Sequence, residues 1–401
     1  MADTLIIFIN HFFFNRLHIK FQYLNMANNT HRRNFLKKAA SSGIILSLGG
    51  FTAAAKALAA INTAGENSNY KIDHLLRSVP KNMVYGYYGA DVPPVLKVKN
   101  GEVVEIQTIN TTGINKKDPE AFFIKNNMPL DEHAKDVIDI LNNVQPDPKL
   151  FGHMLTGPIY IEGAEVGDTL EVRILDIKLR SNYGVNSVWP KGGALPEAVT
   201  TPESFVYRYN TKNNTASFKE GIEIPIRPFM GVMAVSPPAE MGRVSSIPPA
   251  FYGGNLDLKH LVKGTTLFLP VSVKGALFTT GDCHAAEGNG EVSGVAIEAS
   301  LSLVAEFIVR KDKTIKQVYA ETPTHIIAIG LDADLTKAMK NATGNAIKYI
   351  KEELGFTFNE ALSITSTGVD LEVTQVVDQV VGVHAMIPKS IFTNKKFNYW
   401  I

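Results

Sequence analysis

The densest polar segment of the chain, residues 281–291, reads GDCHAAEGNGE. It lies between two apolar runs, Leu267–Thr280 and Val292–Val309, which have the length and partial polar–apolar alternation of half-buried strands. The glycines that frame its acids let the backbone approach a ligand closely and adopt positive φ angles. The segment therefore predicts a β-rich fold that carries polar chemistry in a turn between two strands.

Short apolar runs separated by turn residues extend from this segment over most of the chain. Val95–Val98 and Val103–Thr108 flank Asn100-Gly101, a pair typical of a hairpin turn. Thr169–Ile177 alternates like a half-buried strand, and Phe229–Val235 is a continuous apolar run typical of a core strand. These runs predict a mainly β protein.

Two segments carry the period of an amphipathic helix instead. In Asp334–Leu354 the apolar residues recur at intervals of three and four, and Gly355 follows as a stop signal. Gly344 and Asn345 predict a break in this helix, because glycine is a poor helix former. A shorter helix is predicted at Asp131–Asn142.

The composition of the 401 residues is that of an ordinary globular protein, with 45% hydrophobic and 20% charged residues. Disorder is excluded, because the chain has enough apolar surface to form a core. The formal net charge of +1 includes no basic excess, so we expect no nucleic-acid partner. Cys283 is the single cysteine, which excludes an intramolecular disulfide.

The N-terminal residues have the parts of an export signal. Arg32-Arg33 precede a weakly hydrophobic stretch, Ala39–Ala60, and Ala57-Leu58-Ala59 offers a small-residue cleavage site. The paired arginines followed by Phe-Leu-Lys resemble the twin-arginine signal of bacteria. A membrane anchor is the alternative, which Lys56 within the stretch disfavours.

We therefore expect residues 1–59 to be a misplaced start followed by a signal peptide, with translation beginning at Met26. These residues contain seven of the 40 basic and one of the 39 acidic residues, so the mature chain has a net charge of −5. A mildly acidic exported chain has no polybasic patch for anionic lipid. The expected location is the periplasm, with no membrane contact after the signal is removed.

Within residues 281–291, Asp282 and His284 are two residues apart and would point the same way on an extended strand. A carboxylate oxygen and an imidazole nitrogen together suit a divalent cation, with Zn²⁺ expected and Ca²⁺ as the alternative. Glu287 or Glu291 could then act as a general base. The competing interpretation is a polar hairpin loop that binds nothing.

Two further segments combine glycines with polar groups. His153 lies among small and apolar residues, where a hydrogen-bonded core histidine is the alternative to a metal ligand. Gly253 and Gly254 precede Asn255 and Asp257, which would share one face of a strand and could bind a substrate. A Gly-Gly turn with an Asx motif is the alternative for that segment.

Four ordered motifs together resemble the acetamidase/formamidase family, over residues 84–392. They are GHMLTGPIYIEGAEVGDTL at residues 152–170, GGNLD at 253–257, GDCHAAEGNGE at 281–291 and VVDQVVGVHAMIPK at 376–389. The resemblance implies hydrolysis of short aliphatic amides to the acid and ammonia. It also implies a divalent metal in the site and a homodimer or higher homo-oligomer.

The resemblance implies a fold as well: mainly β, with a jelly-roll-like β-sandwich and additional β-barrel-like and small α/β parts. The catalytic region would be residues 60–401, with the α/β part around residues 320–392. Family members often have Gln-Gly-Asp-Gly-Glu in the glycine loop, where this chain has Glu287-Gly288-Asn289-Gly290-Glu291. Asn289 carries no charge and accepts no proton near neutral pH, so it cannot replace a ligand or base unaided.

These observations lead to one working hypothesis. Asp282 and His284 would hold the metal with His153 as third ligand, and Glu291 would take the proton of the attacking water. The Gly253-Gly254 amides and Asn255 would bind the substrate, with Asp257 orienting them.

Two rival hypotheses stay open. In one, Cys283 is a nucleophile, although on a strand it should face away from Asp282 and His284. In the other, the protein is an exported small-ligand or metal-binding protein on an amidase scaffold, having lost turnover through Asn289.

Overall fold

The computed structural model describes residues 70–400, and β-strands are the main secondary structure of these residues. The expected start at Met26, the export signal and the boundary at residue 59 lie outside these residues. The strands, numbered in chain order, are β1 (His74–Leu76), β2 (Met83–Tyr85), β3 (Tyr87–Tyr88), β4 (Leu96–Val98), β5 (Val103–Gln107), β6 (Met154–Ile161), β7 (Thr169–Leu179), β8 (Tyr183–Val188), β9 (Glu203–Asn210), β10 (Thr215–Ser217), β11 (Glu223–Pro225), β12 (Phe229–Ala234), β13 (Val244–Ser245), β14 (Gly253–Asn255), β15 (Thr265–Pro270), β16 (Phe278–Ala286), β17 (Ile297–Glu298), β18 (Leu301–Arg310), β19 (Tyr319–Glu321), β20 (His325–Asp332), β21 (Asp370–Val373) and β22 (Val381–Pro388). The helices are α1 (Pro119–Lys125), α2 (Glu132–Asn143), α3 (Leu335–Leu354) and α4 (Phe358–Gly368), and short 3₁₀ turns occur at Pro80–Asn82, Ala239–Met241 and Lys389–Ile391. The predicted mainly β fold is confirmed.

Two large sheets organise these strands. The first sheet has nine strands in the order β1-β5-β18-β7-β15-β19-β20-β22-β21. The second has eleven: β11-β10-β9-β8-β17-β16-β12-β14, with β6 also paired to β16 and β2 and β4 paired to β6. One hydrophobic cluster contains Ile106 and Leu170 from the first sheet and Leu155 and Met230 from the second, so the two sheets share a core.

The hairpin predicted at Asn100-Gly101 is wrong. Strand β4 pairs with β6 in the second sheet, whereas β5 pairs with β1 and β18 in the first. The chain crosses from the second sheet to the first at this turn. Two hydrogen bonds hold the turn against β18: the Asn100 Oδ1 accepts the Val309 N–H at 2.8 Å, and the Gly101 N–H donates to the Phe307 carbonyl at 2.7 Å.

The strand pattern around residues 281–291 differs from the prediction in one important respect. Strand β16 continues to Ala286, so Asp282 and His284 lie on a strand and only the residues after Ala286 form a loop. Each flanking apolar run is divided between two strands, β15 and β16 before the segment and β17 and β18 after it. Strand β16 lies inside the second sheet between β12 and β17, and this position buries the segment.

Helix α3 forms as its apolar period predicts. The Asp334 side chain caps its N-terminus by accepting the Lys337 N–H, and Gly355 ends it in the left-handed conformation. The predicted break at Gly344 is wrong, because the helix is continuous from Leu335 to Leu354. Packing of the apolar face of α3 on β20 and β22 offsets the low helix propensity of Gly344.

The shorter helix α2 agrees with the prediction within one residue and is capped by the Asp131 side chain. Among residues 70–400, none of the helices has the length and apolar character needed to span a bilayer.

Two glycine substitutions test how closely α3 packs on β20: Gly344 lies on the exposed side of α3, and Gly330 lies on β20 against α3. Gly344→Ala should raise the free energy of unfolding by about 1 kcal/mol, because the site is an exposed helix interior where an added Cβ meets nothing. Gly330→Ala should lower it by about 1–3 kcal/mol, because its Cβ would lie 2.1 Å from the Ala342 nitrogen of α3. Urea unfolding measures both, and shifts of the same sign would contradict this account of the interface.

Candidate functional site

The site is built on the central strands of the second sheet. Asp282 and His284 lie on β16, which is paired on one side with β12 and on the other with β17, the strand of Glu298. His284 is opposite Phe229 on β12 and opposite Glu298 on β17. The loop that follows β16 places the Glu287 carboxylate beside the imidazole of His284.

The imidazole of His284 lies between two pairs of carboxylates. Its Nε2 is 3.3 Å from an oxygen of Asp282 and 3.3 Å from an oxygen of Glu298. Its Nδ1 is 3.1 Å from Glu287 and 3.9 Å from Asp257. The side chain of His284 is fully buried, so these carboxylates rather than water determine its charge.

Two more predicted site residues join this group, which we call the His284 centre. Glu291 places a carboxylate oxygen within 4.8 Å of the ligand atoms of Asp257, His284 and Glu287. The Nε2 of His153 is 4.0 Å from Asp282. The folded chain therefore brings together all the residues predicted to be metal ligands or bases, although they come from separate segments.

Three acids of the centre have left-handed backbone conformations, which are unfavourable for residues with a Cβ. Their φ angles are +46° at Asp257, +49° at Asp282 and +46° at Glu291. Each such residue costs on the order of 1 kcal/mol and persists only where the surrounding structure enforces it. Clustering of such residues around one histidine is typical of a functional site.

Gly231 on β12 provides the space in which two of these carboxylates meet. A Cβ added to it would lie 2.5 Å from the Asp257 Oδ1 and 2.6 Å from the Asp282 Oδ2. The apolar pattern of Phe229–Val235 predicted only a core strand. The available signal was a single glycine within that strand, which often marks a close approach of another group.

Burial of so many carboxyls raises their pKa values. Burial raises the pKa of Glu298 to about 8 and that of Asp378 to about 7. Burial also raises the pKa values of Asp257 and Glu291 well above the usual range. Glu291 and then Asp378 add to the shift at Asp257, and Asp378 adds to the shift at Glu291. Protons or a cation must therefore offset the negative charge of the centre near neutral pH.

At Asp282 and His284, neighbouring charges outweigh burial and shift the pKa in the direction opposite to the one that burial favours. Burial alone would raise the pKa of Asp282, but His153 and His284 lower it below its usual range. Burial alone would lower the pKa of His284, but Glu298 and Asp282 raise it well above its usual value. Without a cation, these residues form a charged pair surrounded by acids.

The donor atoms of the centre fit a divalent cation. The Nε2 of His284, which faces Asp282 and Glu298, is buried and lacks a hydrogen-bond partner. On the Nδ1 side of the ring, both carboxylate oxygens of Asp257 and one oxygen of Glu287 are also buried and unpartnered. Unpaired buried polar atoms are costly, and carboxylate oxygens with one imidazole nitrogen are ligands suited to Zn²⁺ or, with more oxygens, to Ca²⁺.

The structure corrects part of the predicted substrate-binding segment. Strand β14 ends at Asn255, and Asp257 lies beyond it, so these two residues do not share a strand face. The Gly253 N–H donates to the Ala250 carbonyl at 3.0 Å and is not free for a substrate. Gly254 is buried in β14, and the Oδ1 of Asn255 is buried without a hydrogen-bond partner, which leaves Asn255 as the available polar group.

Three residues near the centre were missed from the sequence. Glu298 was read as part of a strand, although an acid within an apolar run is itself a signal. Asp378 lies within a quoted motif but received no role. Tyr88 gave no signal: its hydroxyl is buried and unpartnered, and burial, Tyr252 and then Asp282 raise its pKa.

The side chains of the centre differ in their exposure to solvent. The exposed fraction of the side chain is 21% for His153 and 12% for Asp282, compared with 4% for Glu298 and 1% for Glu287. A small molecule would therefore reach the carboxylates past His153 and Asp282.

Cys283 faces away from the centre, as its alternation along β16 predicts. Its sulfur is 2.7 Å from the Thr108 hydroxyl in the core, and burial raises the pKa of the thiol to about 12. A thiol that stays protonated and buried is a poor nucleophile, which disfavours the rival hypothesis of cysteine catalysis.

Asn289 also lies outside the His284 centre. It is exposed, and its amide donates to the Glu372 carboxylate at 2.7 Å. The substitution relative to the common family pattern thus changes a contact with Glu372 and leaves the carboxylates around His284 unaltered.

Comparison with known proteins agrees with the motifs. The model of the Acetamidase/Formamidase family matches residues 77–246 and 242–394, which is most of the chain. The protein belongs to the acetamidase/formamidase family. A formamidase of Methylophilus methylotrophus is 29% identical over 369 residues, and the match covers 74% of this chain and 86% of the relative. An acetamidase of Mycolicibacterium smegmatis is 25% identical over 382 residues, covering 74% and 89%.

Solved structures of the family show a related fold. An acetamidase of Bacillus halodurans has a TM-score of 0.66 and 28% identity, and the match covers 80% of this chain and 98% of that one. A predicted acetamidase/formamidase of Thermoanaerobacter tengcongensis has a TM-score of 0.67 at 24% identity, over 80% and 97%, which supports the fold alone.

Gly231→Ala tests the close approach of the carboxylates. The added methyl would force Asp257 and Asp282 apart, so we expect the free energy of unfolding to fall by about 1–3 kcal/mol. Gly288→Ala is the matched control, because its Cβ would meet nothing within 4 Å. Equal stabilities of the two variants in urea unfolding would be inconsistent with this geometry.

The pKa of Glu298 predicts a pH dependence for the metal-free protein. An acid whose pKa is higher in the folded than in the unfolded chain stabilises the fold at low pH, and this contribution is lost as the pH rises to the folded value. With a folded pKa of about 8, Glu298 should make the free energy of unfolding fall by about 1 kcal/mol between about pH 7 and pH 8. His284, whose pKa is also raised, contributes with the same sign.

Urea unfolding at these pH values, in the presence of a chelator, measures the effect. Glu298→Gln should show a smaller decrease, because the amide does not titrate. A stability that rises over this pH window would exclude the proposed protonation of the centre.

Proposed function

We propose that this protein hydrolyses a short aliphatic amide, such as formamide or acetamide, to the carboxylic acid and ammonia. Family membership and relatives named formamidase and acetamidase support amide hydrolysis. The observation that carries the proposal is the His284 centre, where the predicted metal ligands and bases converge in one buried group.

Amide hydrolysis requires three kinds of assistance. The carbonyl is a weak electrophile and must be polarised, water must be made more nucleophilic, and the departing nitrogen must receive a proton. In the proposal, the metal ligands are Asp282, His284 and His153, and Glu298 contacts the same nitrogen of His284 as Asp282. A divalent cation bound there supplies Lewis acidity, which polarises a carbonyl and makes a water molecule more acidic.

Glu291 is the proposed proton carrier. Its pKa is raised by burial and by Asp378, which brings a carboxylate nearer to the value at which it both accepts and releases a proton near neutral pH. Glu291 takes the proton of the attacking water and delivers it to the nitrogen of the substrate.

Glu287 has a different part in the proposal, although the sequence offered it as a second base. Its carboxylate is 3.1 Å from the Nδ1 of His284, so it fixes the orientation and tautomer of the ring and leaves Nε2 facing Asp282 and Glu298. Glu287 is thus a positioning residue.

Asn255 and Tyr88 are the proposed contacts to the substrate. The Oδ1 of Asn255 is an unused buried acceptor that suits the N–H of an amide. The Tyr88 hydroxyl is an unused buried donor, and its raised pKa keeps it protonated. Discrimination against esters and acids follows, because those substrates would leave the Asn255 acceptor unpaired.

Export to the periplasm and assembly into a homo-oligomer are parts of the proposal that rest on the sequence. The paired arginines and the cleavage pattern of residues 30–60 support export by the twin-arginine route. The family resemblance supports the homo-oligomer.

An ammonia-release assay on formamide and acetamide tests the proposed activity. Glu291→Gln should lower kcat by about 100-fold or more, because the amide cannot accept a proton. Glu240→Gln, an exposed glutamate on a 3₁₀ turn, is the matched control and should change kcat little. Chelation should abolish turnover, and Zn²⁺ should restore it.

Two outcomes would reject parts of this proposal. Unchanged kcat in Glu291→Gln would reject Glu291 as the base. A folded wild-type protein that binds short amides and metal without releasing ammonia would favour the rival function, an exported binding protein on an amidase scaffold.

A further inference from the structure

A second group of potential ligands lies outside the His284 centre. His260 follows Asp257 by three residues in the loop after β14, Glu372 is on β21 and His384 is on β22. Glu372 and His384 are direct cross-strand partners, because β21 and β22 are antiparallel with these residues in register. The proposed amide hydrolysis uses none of the three.

The geometry of the three side chains is that of a small chelating pocket. One ligand atom from each lies within 4.8 Å of the others. The Nε2 of His384 is 3.7 Å from the Glu372 carboxylate, and the rings of His260 and His384 are 5.2 Å apart at an interplanar angle of 67°. These separations leave room for one ion between the three donor atoms.

Unsatisfied atoms point to a missing ligand. The Nε2 atoms of both His260 and His384 are buried and have no hydrogen-bond partner. His384 is fully buried, so water does not compensate it. Buried polar atoms without partners are uncommon and costly, and two of them on histidines grouped with one carboxylate indicate that a further group completes the site.

Neighbouring residues hold two of the three donors in place. The Thr374 hydroxyl is 2.8 Å from the Nδ1 of His384, which orients the ring and leaves Nε2 facing the pocket. Asn289 donates to Glu372 at 2.7 Å, which fixes that carboxylate. Such outer contacts are a regular feature of histidine and carboxylate ligands in metal sites.

The protonation states also suit metal binding. Burial lowers the pKa of His384 to about 3 and that of His260 to about 4, with the cations Arg227 and Lys259 contributing at His260. Both rings are therefore neutral near pH 7 and have a free lone pair. The pKa of Glu372 lies below its usual value, despite burial, because Asn289 donates to it, so it is anionic.

We propose that His260, Glu372 and His384 form a second site for a divalent transition-metal ion, separate from the His284 centre. Two imidazoles and one carboxylate are a ligand set typical of Zn²⁺ and related first-row ions with positions left open. The ion would join the loop that carries His260 to the edge strand β21 of the first sheet.

The alternative is that the two histidine rings only pack edge to face, in which case the pocket binds no ion. Zn²⁺ alone is the probe that separates these cases. The full chain, freed of metal with a chelator and then dialysed, is equilibrated with Zn²⁺, and bound zinc is measured per chain.

Two variants remove ligands from the second site. Glu372→Gln preserves the shape and an acceptor for Asn289 but removes the charge, and His260→Gln removes a ligand from a loop, so it does not disturb a strand. Asp370→Asn is the matched control, because it is an exposed carboxylate on the same strand β21. Circular dichroism confirms folding of each, and either variant alone suffices for the test.

The proposal predicts that Glu372→Gln and His260→Gln each bind one Zn²⁺ per chain fewer than the wild type, or bind it at least tenfold more weakly. Asp370→Asn should bind as the wild type does. Equal binding by the wild type and both ligand variants would overturn the proposal. Asp282→Asn, tested in parallel, removes a proposed ligand of the His284 centre only. Zinc at the second site should therefore be lost from Glu372→Gln and retained by Asp282→Asn, and this result supports the second site independently of the proposed hydrolysis.

Discussion

The concentration of carboxylates around one buried imidazole is the constraint on which the site depends. His284 can offset the charge of at most one carboxylate, yet Asp282, Glu287, Glu298 and Asp257 all lie within 4 Å of its ring nitrogens. Burying unpaired charge costs several kcal/mol per group, so this arrangement is stable only with bound protons or a bound cation. The left-handed backbone of its acids and the missing side chain at residue 231 follow from the same crowding.

The fold places the carboxylates around His284 on and beside strands in the interior of the second sheet. Strand β16 is flanked by β12 and β17 in the interior of the second sheet, and its core side chains pack towards the first sheet. The same strand therefore presents Cys283 to the core and His284 to the carboxylates. A strand holds side chains in place more accurately than a loop does, and the loop after Ala286 adds Glu287 and Glu291 to the group.

The sequence alone predicted the mainly β fold and the acids of residues 281–291, because alternation and glycine framing are local signals. It missed Glu298 and Gly231, because their roles arise only when β17 and β12 pair with β16. The hairpin predicted at Asn100-Gly101 failed for a related reason: a turn pair specifies a change of direction but not the sheet that receives the next strand. The break predicted at Gly344 failed because packing on the sheet outweighed helix propensity.

Short chain segments connect the His284 centre to the group of His260, Glu372 and His384. Asp257 and His260 are three residues apart, and Asn289 lies midway between Glu287 and Glu291. A shift of the Glu372 carboxylate would therefore act, through its hydrogen bond from Asn289, on the loop that carries Glu287 and Glu291.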